Sequence, residues 1–329
     1  MNLRADYLRN AIALFTLVLA APSAFAASGG PLTPPGPPAV VYKTLNELEP
    51  RTPVSSLPYS ITAPGSYYVT TNLVGVASQN GITISANDVT LDLSGFSLVG
   101  VASSLDGIQV SGARTNIAVF NGVVRDWRND GVDCSSAYNS QLRDLRVSNC
   151  GANGLVVNQG SVVTSCNAFG NVHNGIMASF GSTVLNCTAS SNTNGIVVSD
   201  GSTATGCTAA SNGTNGIVTA SGATVTGCTV RANKTGINVG DDGRIVGNLC
   251  TGSIEGILII GSDNRIEGNH ITDNAVGIDC NGAGNLIICN TLAGNTTRYS
   301  ISSGNSYGSV LVSPGSGFMA SNPWSNFSY

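Results

Sequence analysis

The chain has 329 residues, of which 42% are apolar, only 10% charged and 6% aromatic, and its formal net charge is −4. An acidic, charge-poor chain lacks the basic stripe that nucleic-acid binding needs. No Gly-Lys-Ser/Thr is present to cradle a phosphate either.

Residues 1–26 read as a secretory signal, with Arg4 and Arg9 ahead of the apolar run Ala11–Ala21 and a small-x-small site at Ala24-Phe25-Ala26. The run is too short for a comfortable membrane span, and no later stretch approaches one. The expectation is a secreted, periplasmic or cell-surface protein without a membrane span after cleavage. Residues 27–42 contain SGGPLTPPGPPA, a Pro/Gly linker. Residues 43–78 are expected to form an N-terminal cap, with a helical turn at Thr44–Glu49 and a hairpin or paired strands over Tyr59–Thr70 around Pro64-Gly65.

From residue 79 to 295 one pattern recurs. Gly154, Gly175, Gly195, Gly216 and Gly236 follow one another at 21, 20, 21 and 20 residues. The phase extends to Gly256 and Gly277 downstream, and to Gly131, Gly107 and Gly81 upstream. After each glycine, positions one and three are apolar, as in Ile82/Ile84, Leu155/Val157 and Ile257/Ile259. Alternation with period two buries one face of a short strand. A unit of about 21 residues cannot bury that face alone, so it must stack on its neighbours. The fold class expected is all-β, a parallel β-helix of about ten coils, near 50 Å long at ~4.8 Å per coil. Residues 296–329 break the phase and carry Tyr299, Tyr307, Trp324 and Tyr329, which suits a C-terminal cap.

These N-G-I and N-x-I-x-x-N repeats, clearest in RIEGNHITDN with Ile266, Asn269 and Ile271, resemble the right-handed parallel β-helix, pectate-lyase-like superfamily. The resemblance implies a single-stranded right-handed solenoid and brings in carbohydrate as a ligand class. It is specific for fold, and fold does not fix function.

Stacking turns repeats into columns. The residue before each glycine reads Asn80, Asp106, Asp130, Asn153, Asn174, Asn194, Asn215, Thr235, Glu255 and Val276, a set whose Asn and Asp members are expected to serve left-handed turns. A second column, Asn171, Asn192, Asn212, Asn233 and Asn274, is expected to form an amide ladder. Cys166, Cys187, Cys207 and Cys228 recur once per coil at an inward position and read as small buried hydrophobes, whereas Cys150 and Cys289 read as less buried. A column of thiols does not converge on a metal, and no metal-ligand set is assigned.

Charge singles out one region. Between Val147 and Thr229 only Asp200 is charged, whereas Arg125–Arg146 holds eight charged residues. Asp106 and Asp130 fall one coil apart with Asp133 beside them, so these three are the candidate acids: neighbouring carboxylates raise one another's pKa and can divide acid and base roles. Trp127, Arg128, Tyr138 and Arg143 are the candidate substrate-binding residues, offering aromatic faces and guanidinium groups. The competing reading makes the aspartates turn residues that the arginines pair with. Asn129-Asp130-Gly131-Val132-Asp133 resembles part of the N-x-D-G motif of polygalacturonase-like hydrolases, which would make Asp130 the matching acid. The rest of that motif is missing, with Ala152-Asn153 and Val172-His173-Asn174 where further acids and a Gly-His-Gly would stand.

Outward position two reads Val156, Met177, Val197, Val218, an apolar stripe suited to side-by-side packing of copies. The favoured function is an exported module binding a polysaccharide or a cell-surface partner without an identifiable catalytic set. The alternative is a polysaccharide lyase or glycoside hydrolase using Asp106, Asp130 and Asp133, with calcium as cofactor in the lyase case.

Overall fold

The computed structural model describes residues 50–312 and 322–329. The expected signal (1–26), linker (27–42) and helical turn at Thr44–Glu49 lie outside the described residues.

Most coils of the unit Glu49–Tyr329 are built the same way, and the coil of Asn194–Ala210 illustrates it. Asn194–Val198 forms a strand, a turn through Asp200 and Gly201 leads to Thr203–Thr205, and a tight corner at Gly206-Cys207 leads to Thr208–Ala210. Gly201 and Gly206 both have φ +62, which only glycine adopts freely, so these corners close without steric cost. Every strand pairs in parallel with its counterpart one coil on, as Ile196 does with Ile217 and Ala204 with Val225.

The first strands of successive coils make a 12-stranded parallel sheet running from Tyr59–Ile61 to Thr297–Ile301. Second and third strands belong to one 24-stranded sheet. The two faces are joined because Ile117–Arg125 and Gln141–Ser148 run unbroken around the corner, pairing with second and third strands of their neighbours. Among the described residues there is no helix, and none is long and apolar enough to cross a membrane.

Twelve coils, two more than expected, follow from strands at both ends that carry no glycine signal. At the C-terminal end the reason is visible. A Cβ on Gly256 would stand 2.6 Å from the Gly277 carbonyl oxygen, and one on Gly277 would stand 2.6 Å from that of Arg298. The glycine is therefore demanded by the coil stacked beyond it. Thr297–Ile301 is the last strand of its sheet, and Arg298 stands at that position. At the other end, Tyr59–Ile61 and Gly65–Val69 are no hairpin: they join the first and second faces, each paired in parallel with the next coil.

The interior is a set of stacked columns. Ile82, Ile108, Val132, Leu155, Ile176, Ile196, Ile217, Ile237, Ile257 and Ile278 are all fully buried, and each such side chain contributes about 1.5–3 kcal/mol by leaving water. At the corners, polar ladders satisfy the backbone. The N–H groups of Cys150, Asn171, Asn192 and Asn212 each donate to the Oδ1 of the asparagine one coil on, at 2.9–3.0 Å. The expected amide ladder is thus present, with Ser253 and Asn274 continuing it. A second ladder begins as cysteine and ends as asparagine: Cys166 N–H donates to Cys187 Sγ at 3.4 Å, Cys228 N–H to Asn248 Oδ1, and Asn248 N–H to Asn269 Oδ1. All nine cysteines are free thiols, and Cys150, read from sequence as less buried, is fully enclosed, because its backbone heads the amide ladder.

Candidate functional site

Where the first sheet meets the preceding corner, the column Asn80, Asp106, Asp130, Asn153, Asn174 is itself a ladder. Asp106 N–H donates to Asn80 Oδ1 at 3.0 Å, Asp130 N–H to Asp106 Oδ1 at 2.9 Å, and Asn153 N–H to Asp130 Oδ1 at 2.6 Å. The Asn153 and Asn174 amides continue it at 2.9 Å each. None of these residues has the left-handed backbone expected from their type; that conformation belongs to others, such as Asp126, Asp144 and Asn149. What selects Asn or Asp in this column is an oxygen able to accept from the next coil.

The two candidate acids are therefore brought together, one coil apart, but joined head to tail. Asp106 is buried and Asp130 half-buried. Burial pushes the Asp106 carboxyl above its usual range, with Asp130 and Asp133 adding to the shift and the Asp130 N–H opposing it. Burial also raises Asp130, against the Asn153 bonds and a smaller opposing pull from His173. Asp133 lies on the outward side of Val132–Cys134, with its Oδ1 accepting the Ser135 N–H at 2.8 Å. Gln109 precedes it in the same outward column, and its Oε1 accepts from Asn80 Nδ2 at 2.7 Å. Gln109 and His173 belong to this polar patch although charge counting did not find them. Gln109 is uncharged, but its place two residues after Gly107 marks it as outward.

Beyond Asp133 the outward column continues through Val156, Met177, Val197 and Val218 to Asn238, Leu258 and Asp279. The apolar stripe exists as a column. Its first member is only 6% exposed, so the exposed part is narrower than the sequence suggested.

The candidate substrate-binding residues do not gather around the acids. Trp127 is a correction: it is 1% exposed, donates Nε1–H to the Leu98 carbonyl at 3.2 Å, and fills the interior so closely that a Cβ on Gly81 would meet its ring at 2.7 Å. The longer upstream coils enclose more space at this corner, and the indole occupies it. No ligand can stack on it. Arg128 is exposed two residues before Asp130 in the chain. Tyr138 is exposed on a short strand that follows Val132–Cys134, at the end away from Asp130. Arg143 lies on the second face, its guanidinium 3.8 Å over the Phe120 ring and 3.2 Å from Asp144.

Among the described residues no group of three or more His, Cys, Asp or Glu is placed to hold a metal ion. Asp106 and Asp130 each commit Oδ1 to N–H donors, so a calcium of the lyase reading would draw on their Oδ2 atoms.

No curated protein matches the chain. Among solved structures it is similar to the Azotobacter vinelandii mannuronan C-5 epimerase AlgE6 A-module, at 18% identity and a TM-score of 0.65, over 77% of this chain and 87% of that one. The AlgE4 A-module of the same organism is similar at 17% identity and 0.64, over 77% and 89%. The periplasmic alginate epimerase AlgG is similar at 12% identity and 0.51, over 82% and 76%. These likenesses concern the fold. The sequence family described as the right handed beta helix region matches residues 72–224 and 217–313, and the chain belongs to that family.

Proposed function

We propose that the protein is an exported β-helix protein that binds a polysaccharide along the outer face of its first sheet. The observation that carries this reading is the continuity of one surface. Gln109, Asp130, Asp133 and His173 supply hydrogen-bonding groups, and the column Val156–Val218 continues from them as a low apolar track. A sugar chain presents both hydroxyls and apolar C–H faces, and a track repeating every ~4.8 Å suits a repeating ligand. Structures named as alginate and mannuronan epimerases, similar over most of this chain, support the same ligand class.

A second reading, an enzyme acting on that polysaccharide, is favoured by the raised carboxyls of Asp106 and Asp130. Burial that raises a carboxyl favours its protonated form, the form a general acid needs. The experiment is a panel of neutral and acidic polysaccharides on the purified mature protein. Pull-down, reducing-end release, unsaturated-uronate absorbance and solvent-proton exchange into the sugar would be read in parallel. Binding without turnover supports the first reading. Turnover that Asp130→Asn abolishes, with binding kept, supports the second. No binding to any member removes both.

A further inference from the structure

The second face ends in a cleft of about 320 Å³, lined by Arg265, Leu286, Ile288, Tyr307, Asn322 and Trp324. Its floor is apolar where the middle coils are hydroxylic. Leu286 and Ile288 stand in the outward register positions that Thr203/Thr205 and Thr224/Thr226 fill earlier in the stack. Ile288 is only 4% exposed although it points outward, which means other groups stand over it. Tyr307 and Trp324, which line the cleft, are 56% and 53% exposed. The Trp324 backbone N–H donates to Asn322 Oδ1 at 3.0 Å.

Charge at the mouth is uneven. Arg244 and Arg265 are in register on adjacent coils, an arrangement in which like charges repel. A single carboxylate, Glu267, answers them, bonded to Arg265 Nε at 2.7 Å. The Arg265 guanidinium, with a smaller contribution from Arg244, holds Glu267 below its usual range. Arg265 is the charged residue among those that line the cleft, in a chain whose net charge is −4. Apolar and aromatic walls with one or two placed polar groups describe a ligand pocket of ordinary size.

We propose that this cleft binds one acidic sugar unit, its ring against Trp324 and its carboxylate on Arg265. The inference rests on the carbohydrate reading above, but uses a separate surface. The cleft is on another face and about seven coils from Asp130, roughly 34 Å at ~4.8 Å per coil. It would hold a glycan at the C-terminal end of the stack independently of the first sheet.

The chain has two tryptophans, and Trp127 is sealed in the interior, so a ligand-dependent change in indole emission reports Trp324. The protein is titrated with an oligouronate, with its carboxyl-reduced neutral counterpart, and with benzoate. The expected result is a saturable change with the oligouronate. It should be at least tenfold weaker for the neutral sugar and for Arg265→Gln, absent in Trp324→Ala, and unaltered in Asp130→Asn. Equal affinity for neutral and acidic sugar overturns the proposal, as does no response to the oligouronate or a response to benzoate alone. The first-face reading fails separately, when Asp130 and Asp133 substitutions made in Trp324→Ala leave its polysaccharide pull-down untouched.

Discussion

Asp130 fills a slot that Asn153, Asn174, Asn194 and Asn215 fill on later coils, and it accepts the same bond from above. A carboxylate there is buried where an amide would carry no charge. Its pKa is raised in the fold, so ionisation costs the native state. That cost is absent below the ordinary carboxylate range, grows as pH rises toward the raised value, and is constant above it. Asp130→Asn is therefore expected to fold and to melt higher than the parent at pH 7, with the difference vanishing below the ordinary carboxylate range. Melting curves across pH measure this directly. At this scale the sequence was half legible. The spacing put Asp106 and Asp130 on adjacent coils, but residue type suggested a left-handed turn where the structure has a ladder. Trp127 misled for a related reason: an indole flanked by arginines and aspartates looks like surface, and nothing local reports the space it fills.

Two kinds of glycine make one coil, and they should respond differently to a methyl group. A Cβ on Gly195 would stand 2.5 Å from the Gly216 carbonyl oxygen, which is backbone and cannot swing away. Gly195→Ala is expected to cost about 1–3 kcal/mol or more as an overpacked core does. Gly201 has φ +62 and open space around its Cβ position, so Gly201→Ala should cost only the left-handed backbone term, about 1–2 kcal/mol. The corner ladder offers a companion test. Asn248 and Asn269 do for later coils what Cys187 does for Cys166. Cys187→Asn should retain the parent's stability, whereas Cys187→Ala leaves a buried N–H unpaired and opens a void, at about 1–3 kcal/mol. Urea unfolding of the four variants ranks them. The repeat was easy to read because each glycine answers to a fixed neighbour; the last coil hid because that neighbour is missing.

Across the whole stack, stability comes from repetition rather than from charge or covalent links. Between Val147 and Thr229 a single charged residue is present, and the ion pairs found lie outside that stretch. Eight of the nine thiols are buried, and burial pushes Cys150 and Cys250 up to about 12. A thiol reagent should thus modify one cysteine, Cys289, in the native protein and nine after denaturation; rapid native modification of more than one would contradict the closed stack. Architecture was legible in the sequence because ten in-phase glycines and a period-two apolar pattern admit few other folds. The site was less so, since a site depends on which faces meet, and Arg143 and Asp133 sit near in sequence but on different faces.

The first-sheet ladder also bears on how the protein ages. Asn-Gly is the pair in which a side-chain amide is most readily lost, through attack by the glycine nitrogen on the asparagine carbonyl carbon. Here Asn153, Asn174, Asn194 and Asn215 all precede glycine. The Gly154 nitrogen, the would-be attacker beside Asn153, instead donates to the Asn174 carbonyl, and the Asn174 amide is held by Asn153. Strand geometry keeps attacker and target apart for as long as the coil stays closed. Each conversion to aspartate in a sample is thus a record of a coil that opened. Because Asp106 and Asp130 already occupy this ladder, the fraction that becomes ordinary aspartate keeps its acceptor, whereas isoaspartate, the larger product, lengthens the backbone and breaks the register.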